Sequence, residues 1–166
     1  MATSAKTEIL ITPGTQQIIM TRTFDAPREL VFRAYTDPTL LIQWLGPRRM
    51  TMTIDRYEVR DGGSWRYTHR DDNGEYGFHG VFHGDPSPDS VVQTNEFEGV
   101  PGHVSLETLT LEERDGKTLM RTNSVFQSVE DRDAMVQSGM EEGFNESMER
   151  LDELLARMKQ APGGGE

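Results

Sequence analysis

The stretch EDRDAMVQSGMEEGFNESMERLDELLARMK, Glu130–Lys159, decides the architecture. Its apolar residues Val136, Met140, Phe144, Met148, Leu151, Leu155 and Met158 recur at helical spacing. That spacing predicts one long helix closing the chain. Gly139, Gly143 and Ser147 stand four apart on the same stripe. A glycine inside a helix costs about 1 kcal/mol relative to alanine, so two on a buried face need a physical reason. Either the helix backbone presses directly onto another element, or the missing side chains leave a hollow. A helix gripped by a curved sheet with a hollow between them is a container for a ligand.

Upstream, Gln17–Phe24 is rich in β-branched residues and reads as a strand. Pro27 opens a helix with Leu30, Val31, Ala34 and Tyr35 on its apolar side. Asp37-Pro38 caps a second, short helix that runs to about Trp44, before Gly46-Pro47. Strands are expected at about 50–59, 63–70, 75–84, 90–98, 103–113 and 117–127. Asp61-Gly62-Gly63, Asn73-Gly74 and Asp115-Gly116 supply hairpin turns between them. Ser128 caps the closing helix, with Asp131 three residues on. Successive hairpins make an antiparallel sheet whose one face the helices cover. The expected organisation is a flexible arm at 1–15 with a short edge strand at Ile9–Ile11, one domain at 16–159, and a disordered tail at 160–166.

Net charge is −11, with 27% charged and 34% hydrophobic residues. An acidic surface repels phosphate backbones and anionic lipid, so neither nucleic acid nor membrane is an expected partner. No apolar run approaches the ~20 residues of a membrane span. The N-terminus lacks the pattern of a secretory signal, and the absence of cysteine suits a cytoplasmic protein. A homodimer is compatible with the sequence, which does not decide oligomeric state.

The Asn73-Gly74 hairpin orients the sheet. With those two residues as the turn, Trp65 faces Phe82, Tyr67 faces Gly80 and His69 faces Phe78. Directly opposed residues share a face. Trp65, Tyr67, His69, Tyr76, Phe78 and Phe82 then form an aromatic interior, and Arg66, His79 and His83 lie outside. The Asp115-Gly116 hairpin leaves two choices. Leu109, Leu111, Met120 and Phe126 point inward with Glu107 and Ser124, or Val104, Leu106, Leu119 and Val125 do so with Arg121 and Asn123. Strand 90–98 likewise turns either Asn95 and Phe97 or Thr94 and Glu96 inward.

Several motifs, in order, resemble the bacterial proteins related to the activator of Hsp90 ATPase. They are Phe24-Asp25-Ala26-Pro27, Val31-Phe32, Trp44-Leu45-Gly46-Pro47, Gly62-Gly63-Ser64-Trp65-Arg66-Tyr67, Phe97-Glu98-Gly99-Val100-Pro101-Gly102-His103 and Gly139-Met140-Glu141-Glu142-Gly143. Those proteins belong to the START-like (SRPBCC, polyketide cyclase/dehydrase) superfamily. The resemblance covers about residues 16–158. It implies an α+β helix-grip fold, START/Bet v 1-like: a curved antiparallel sheet around a long C-terminal helix, two short helices after the first strand, and a cavity. It carries over no catalytic residue.

The expected ligand-lining set is Trp44, Trp65, Tyr67, His69, Phe78, Phe82, Gly139, Met140, Gly143 and Phe144. Aromatic walls suit an apolar or aromatic ligand, although any one of these side chains taken alone is more often plain core. His69 reads as a polar anchor at the cavity mouth or, more plainly, as a rim histidine half in water. His79 and His83 do not make a metal pair, since four residues along a strand span about 13 Å. No glycine loop that would cradle a phosphate precedes a helix, and no cofactor is expected. Three functions follow: binding of a small hydrophobic or aromatic molecule, a cyclase-type enzyme acting in the same cavity, or a chaperone accessory by fold analogy.

Overall fold

A computed structural model describes residues 7–160. The expectations for the tips of the arm and tail, 1–6 and 161–166, lie outside those residues. The elements are β1 (Glu8–Leu10), β2 (Gln17–Phe24), α1 (Arg28–Thr36), α2 (Pro38–Leu41), β3 (Thr51–Tyr57), β4 (Ser64–Asp71), β5 (Gly74–Val81), β6 (Ser90–Phe97), β7 (Val104–Arg114), β8 (Lys117–Val125), α3 (Val129–Gln137) and α4 (Met140–Gln160). The strands form one antiparallel, curved sheet in the order β1-β2-β8-β7-β6-β5-β4-β3. From β3 to β8 each strand pairs with the next through a hairpin. β2 and β3 lie far apart, so α1 and α2 must carry the chain across the inner face between them. α1 packs on β7, β8 and α4 as it crosses. Among the described residues, no helix is long and apolar enough to cross a membrane.

Alternation sets the inner face of β2. Ile18, Met20, Arg22 and Phe24 are buried, and Arg22 forms an ion pair with Asp152 of α4. The Asp115-Gly116 hairpin resolves to its first choice, with Leu109, Leu111, Met120, Ser124 and Phe126 buried. Asp115 and Gly116 both have positive φ, 54° and 78°, as a tight two-residue turn matching the strand twist requires. The hairpin between β4 and β5 closes differently from expectation. Its turn residues are Asp72 and Asn73, because Asp71 pairs with Gly74 and the Asp71 carboxylate accepts from the Asn73 backbone N–H. Trp65 therefore opposes Gly80, Tyr67 opposes Phe78 and His69 opposes Tyr76. The shift is two residues, so the faces are kept. Trp65, Tyr67, His69 and Phe82 are buried.

The closing helix is the principal correction. It is two helices, broken at Ser138-Gly139. Ser138 caps α3, and Gly139 takes φ +86°, the left-handed conformation in which helices commonly end on glycine. Periodicity runs through the break because Val136 and Met140 still pack on Ile18, Met20 and Phe126. Ser128 caps α3 as expected, accepting from the Asp131 N–H. The Arg132 side chain is 2% exposed and donates to the carbonyls of Thr12 and Gln17, tying α3 to the start of β2 and the segment before it.

The two glycines therefore differ. A methyl group at Gly143 would meet only Pro47 Cγ, at 3.8 Å, an ordinary contact. Gly143→Ala should stabilise the protein by about 1 kcal/mol through helix propensity. Gly139→Ala has open space but the wrong φ, and should destabilise by about 1–2 kcal/mol. Urea titrations of both variants should shift in opposite directions; two shifts of the same sign would contradict these assignments.

Candidate functional site

A cavity of about 140 Å³ opens on the inner face of the sheet. Its roof comes from α1, α2 and the residues just after α2: Tyr35, Thr36, Leu41, Trp44 and Leu45. This hollow was expected between the C-terminal helix and the sheet, but α1 and α2 cover it and no residue of α4 lines it. The crossing connection places it there. One wall is aromatic, with Tyr57, Tyr67 and Phe82. The other is mixed: Val91, Gln93 and Asn95 from β6, Glu107 and Leu109 from β7, and Thr122 from β8. Of the two facings open for β6, the one that turns Asn95 inward is observed.

Each wall has a local cause. Tyr57 reaches the cavity because of a register irregularity in β3. Ile54 pairs with Tyr67, but Arg56, two residues on, pairs with Arg66. The extra residue, Asp55, reverses the alternation, so Tyr57 points inward with Ile54, and its hydroxyl donates to the Tyr35 carbonyl at 2.8 Å. Trp44 is anchored by its indole N–H, 3.0 Å from the Ala34 carbonyl, and meets Tyr35 edge-on at 4.7 Å. The Tyr35 hydroxyl points at Met120 Sδ, 2.9 Å away.

The polar end is built around Glu107. Its carboxylate accepts from the hydroxyls of Ser105 and Ser124, one on each oxygen, both at 2.5 Å. Burial raises its pKa, and the two serines offset part of that rise. Glu107 nevertheless keeps some accessible surface, which at this depth opens into the cavity. Thr122 Oγ1, opposite Leu109, is buried without a hydrogen-bond partner. Tyr35, Tyr57 and Tyr67 all have raised pKa values, through burial first; the charge of Glu107 adds to the rise at Tyr67.

A carboxyl whose pKa is higher in the folded than in the unfolded chain favours folding below the unfolded value. That advantage is lost as pH rises through the folded value. Glu107→Gln should therefore be more stable than the parent at pH 8, and the gain should shrink as pH falls to the ordinary carboxylate range. Chemical denaturation at several pH values checks this; a gain that grows on acidification would contradict it.

Of the residues expected to line a ligand site, Trp44, Tyr67 and Phe82 line this cavity. Trp65 is fully buried beneath it, stacked on Tyr67 at 5.0 Å. Phe78 is half-buried between Tyr67 and Phe97. His69 lies one pleat further along β4, packed against Gly46, where a Cβ would come within 2.6 Å of its ring. Its Nδ1 is buried without a partner, and burial, followed by the charge of Arg150, lowers its pKa. Phe144 and Met140 pack at the α4 end of the core. Gly139 is exposed, and Gly143 faces Pro47. Tyr35, Tyr57, Gln93, Glu107 and Thr122 were not anticipated. Glu107 and Tyr35 carried a signal as polar or amphipathic residues on otherwise apolar faces; Tyr57 carried none, because the bulge hides it.

His79 belongs to a separate cluster on the outer face. Arg66 forks onto both oxygens of Glu98 at 2.8 Å and also bonds Asp55. His79 Nδ1 lies 2.8 Å from Glu98. Arg66 and then His79 hold the Glu98 pKa down to about 2. Gly77 makes room, since a Cβ there would sit 2.4 Å from the Glu98 carboxylate. Among the described residues no group of three or more His, Asp or Glu is placed to hold a metal ion.

A curved antiparallel sheet, a long C-terminal helix and two short helices crossing over an inner hollow define the helix-grip, START-like class. The match to the family model for activator of Hsp90 ATPase homolog 1-like proteins extends over residues 25–156, and the chain belongs to that family. Its fold is shared with a protein of Arthrobacter aurescens solved by NMR, at 27% identity and TM-score 0.82, over 90% of this chain and 91% of that one. A crystal structure from Rhodobacter sphaeroides is similar at 28% identity and TM-score 0.80, over 90% and 97%. One from Mycobacterium smegmatis shares the fold at 24% identity and TM-score 0.81, over 89% and 95%. No curated protein matches the chain.

Proposed function

We propose that the protein binds a small hydrophobic or aromatic molecule in the cavity beneath α1 and α2. The observation that carries this reading is a hollow of about 140 Å³ walled mainly by aromatic and aliphatic side chains, with Gln93, Asn95, Glu107 and Thr122 on the adjacent strands β6, β7 and β8. That volume is close to the roughly 150 Å³ of an apolar cavity able to hold benzene. It accommodates one ring rather than a long lipid. Few, converging polar groups in an apolar hollow are what small-molecule sites use to orient a ligand.

Single-ring aromatic fragments should shift the amide resonances of Tyr67, Val91 and Leu109 in a titration followed by NMR. Val91→Phe, which fills the hollow, should weaken binding at least about tenfold while the spectrum stays folded. Shifts confined to the outer face, for instance around Leu106 and Leu119, would overturn the reading, as would unchanged affinity in Val91→Phe.

A second reading has one observation in its favour. A buried carboxyl with a raised pKa beside a phenol is suited to general acid–base work. On this reading Glu107 and Tyr67 move a proton on the bound molecule, as in a cyclase-type enzyme. Slow conversion of a bound ligand, abolished in Glu107→Gln with binding retained, would support turnover. A ligand recovered unchanged after long incubation with the parent protein would favour plain binding.

A further inference from the structure

We infer that the cavity selects a small organic ammonium ion, a protonated amine carried on an aromatic or compact alkyl body. This rests on the ligand-binding reading above and concerns the chemistry of its polar end.

The argument begins with charge. Among the described residues, Glu107 is the one carboxylate in the lining, and no lysine, arginine or histidine lines the cavity. The other ionisable groups there are the phenols of Tyr35 on α1, Tyr57 on β3 and Tyr67 on β4. Each Glu107 oxygen accepts from a neutral serine hydroxyl. Those two bonds solvate a carboxylate but do not neutralise it. Buried carboxylates ordinarily meet a cation or give up their charge. No basic group in the lining offers that cation, and Glu107 keeps accessible surface toward the hollow.

Ligand classes can then be compared. An anion would enter against Glu107, meet no positive side chain, and face a chain of net charge −11. A wholly apolar ligand would leave Glu107 without a counter-charge and the Thr122 hydroxyl still without a partner. An ammonium ion gives Glu107 its counter-charge and has further N–H donors for the Thr122 oxygen and the amide oxygens of β6. The aromatic wall favours the same choice. Tyr57, Tyr67 and Phe82, with Trp44 above, surround the hollow, and the faces of such rings attract cations, more strongly once water is excluded.

Three one-ring probes of nearly equal size separate these cases: benzylammonium, benzyl alcohol and benzoate. Each is titrated into the full chain at pH 7, following the amides of Val91 and Leu109. Benzylammonium should bind at least about tenfold more tightly than benzyl alcohol, the worth of one charge-assisted hydrogen bond. Benzoate should cause no shift. In Glu107→Gln, benzylammonium should fall to the affinity that the alcohol shows in the same variant. A second measurement needs no variant. Across the range in which the amine stays protonated, its affinity should rise with pH as Glu107, its carboxyl held up by burial, ionises, while that of the alcohol stays flat. If the alcohol binds in the cavity as well as the ammonium, or if Glu107→Gln or pH leaves the preference intact, the ammonium inference falls and the ligand-binding reading stands. If no probe moves a lining amide, both fall.

Discussion

Gly80→Ala should destabilise the protein by about 3 kcal/mol or more, at the upper end of what overpacking a core costs. A Cβ at this position would lie 1.9 Å from the Thr94 carbonyl oxygen and 2.7 Å from Cζ2 of Trp65. The first of these is backbone and the second belongs to a fully buried ring, so neither can move aside cheaply. β6 leans onto the glycine here. Regular pairing between β5 and β6 runs through Phe78 and His79, resumes as an isolated bridge at Phe82 and Gln93, and between them the Val81 N–H bonds the Thr94 hydroxyl instead. An added methyl would push β6 outward and take Gln93 and Asn95 with it, so the polar end of the cavity should loosen together with the fold. Urea denaturation measures the first effect, and amide shifts at residues 93–95 in any folded fraction measure the second. A midpoint matching the parent would show that β6 can withdraw without cost.

Trp44→Ala should cost about 3–5 kcal/mol, the range for removing a large buried aromatic side chain. Trp44 is 1% exposed and joins three parts of the molecule. Its indole N–H satisfies the Ala34 carbonyl near the end of α1, its ring meets Tyr35 edge-on, and it roofs the cavity. Trp44→Phe keeps most of the apolar area and loses the hydrogen bond, so its cost should be smaller, about 1–3 kcal/mol, the penalty for a buried acceptor left alone. The chain has two tryptophans, so the fluorescence of either variant reports Trp65 alone while circular dichroism follows the helices. Equal losses for the two variants would mean that the hydrogen bond, rather than the packed volume, holds α1 to α2.

The candidate site was legible in the sequence only where a short-range rule reaches it. Alternation along β4 makes Tyr67 an inner residue whatever the hairpin register, because register slips by two preserve the face. Asp37-Pro38 and Gly46-Pro47 bracket the short segment that carries Trp44, so an aromatic residue there was visible too, although the helix ends at Leu41 and not at about Trp44. Tyr57 was not, since the irregularity at Asp55 reverses alternation halfway along β3 and leaves no compositional mark. Glu107 was visible as a polar residue on one of two equally plausible faces of β7. Choosing that face takes the neighbouring strands, β6 and β8, and the helix that covers them.

What the sequence by itself determined is therefore local and periodic: the number and order of the strands, the caps at Asp37 and Ser128, the turn at Asp115-Gly116, and the apolar stripe of the closing helix. These depend on backbone preferences and on spacing within a few residues. The break at Gly139 was in principle legible as well, but the stripe continues across it, and glycine tolerates both an interior and a terminal position. Only the tertiary structure decided where the hollow lies. The connection from β2 to β3 has to cross the sheet, and the helices making that crossing roof a space that α4 does not line. It also decided that the hollow holds a buried carboxyl group with no cation beside it among the described residues, because the partners of Glu107 come from β7 itself and β8, its neighbour along the sheet from β6, and the facing aromatic ring from β4. Their meeting is a property of strand order, which hydrophobic pattern along one strand does not encode.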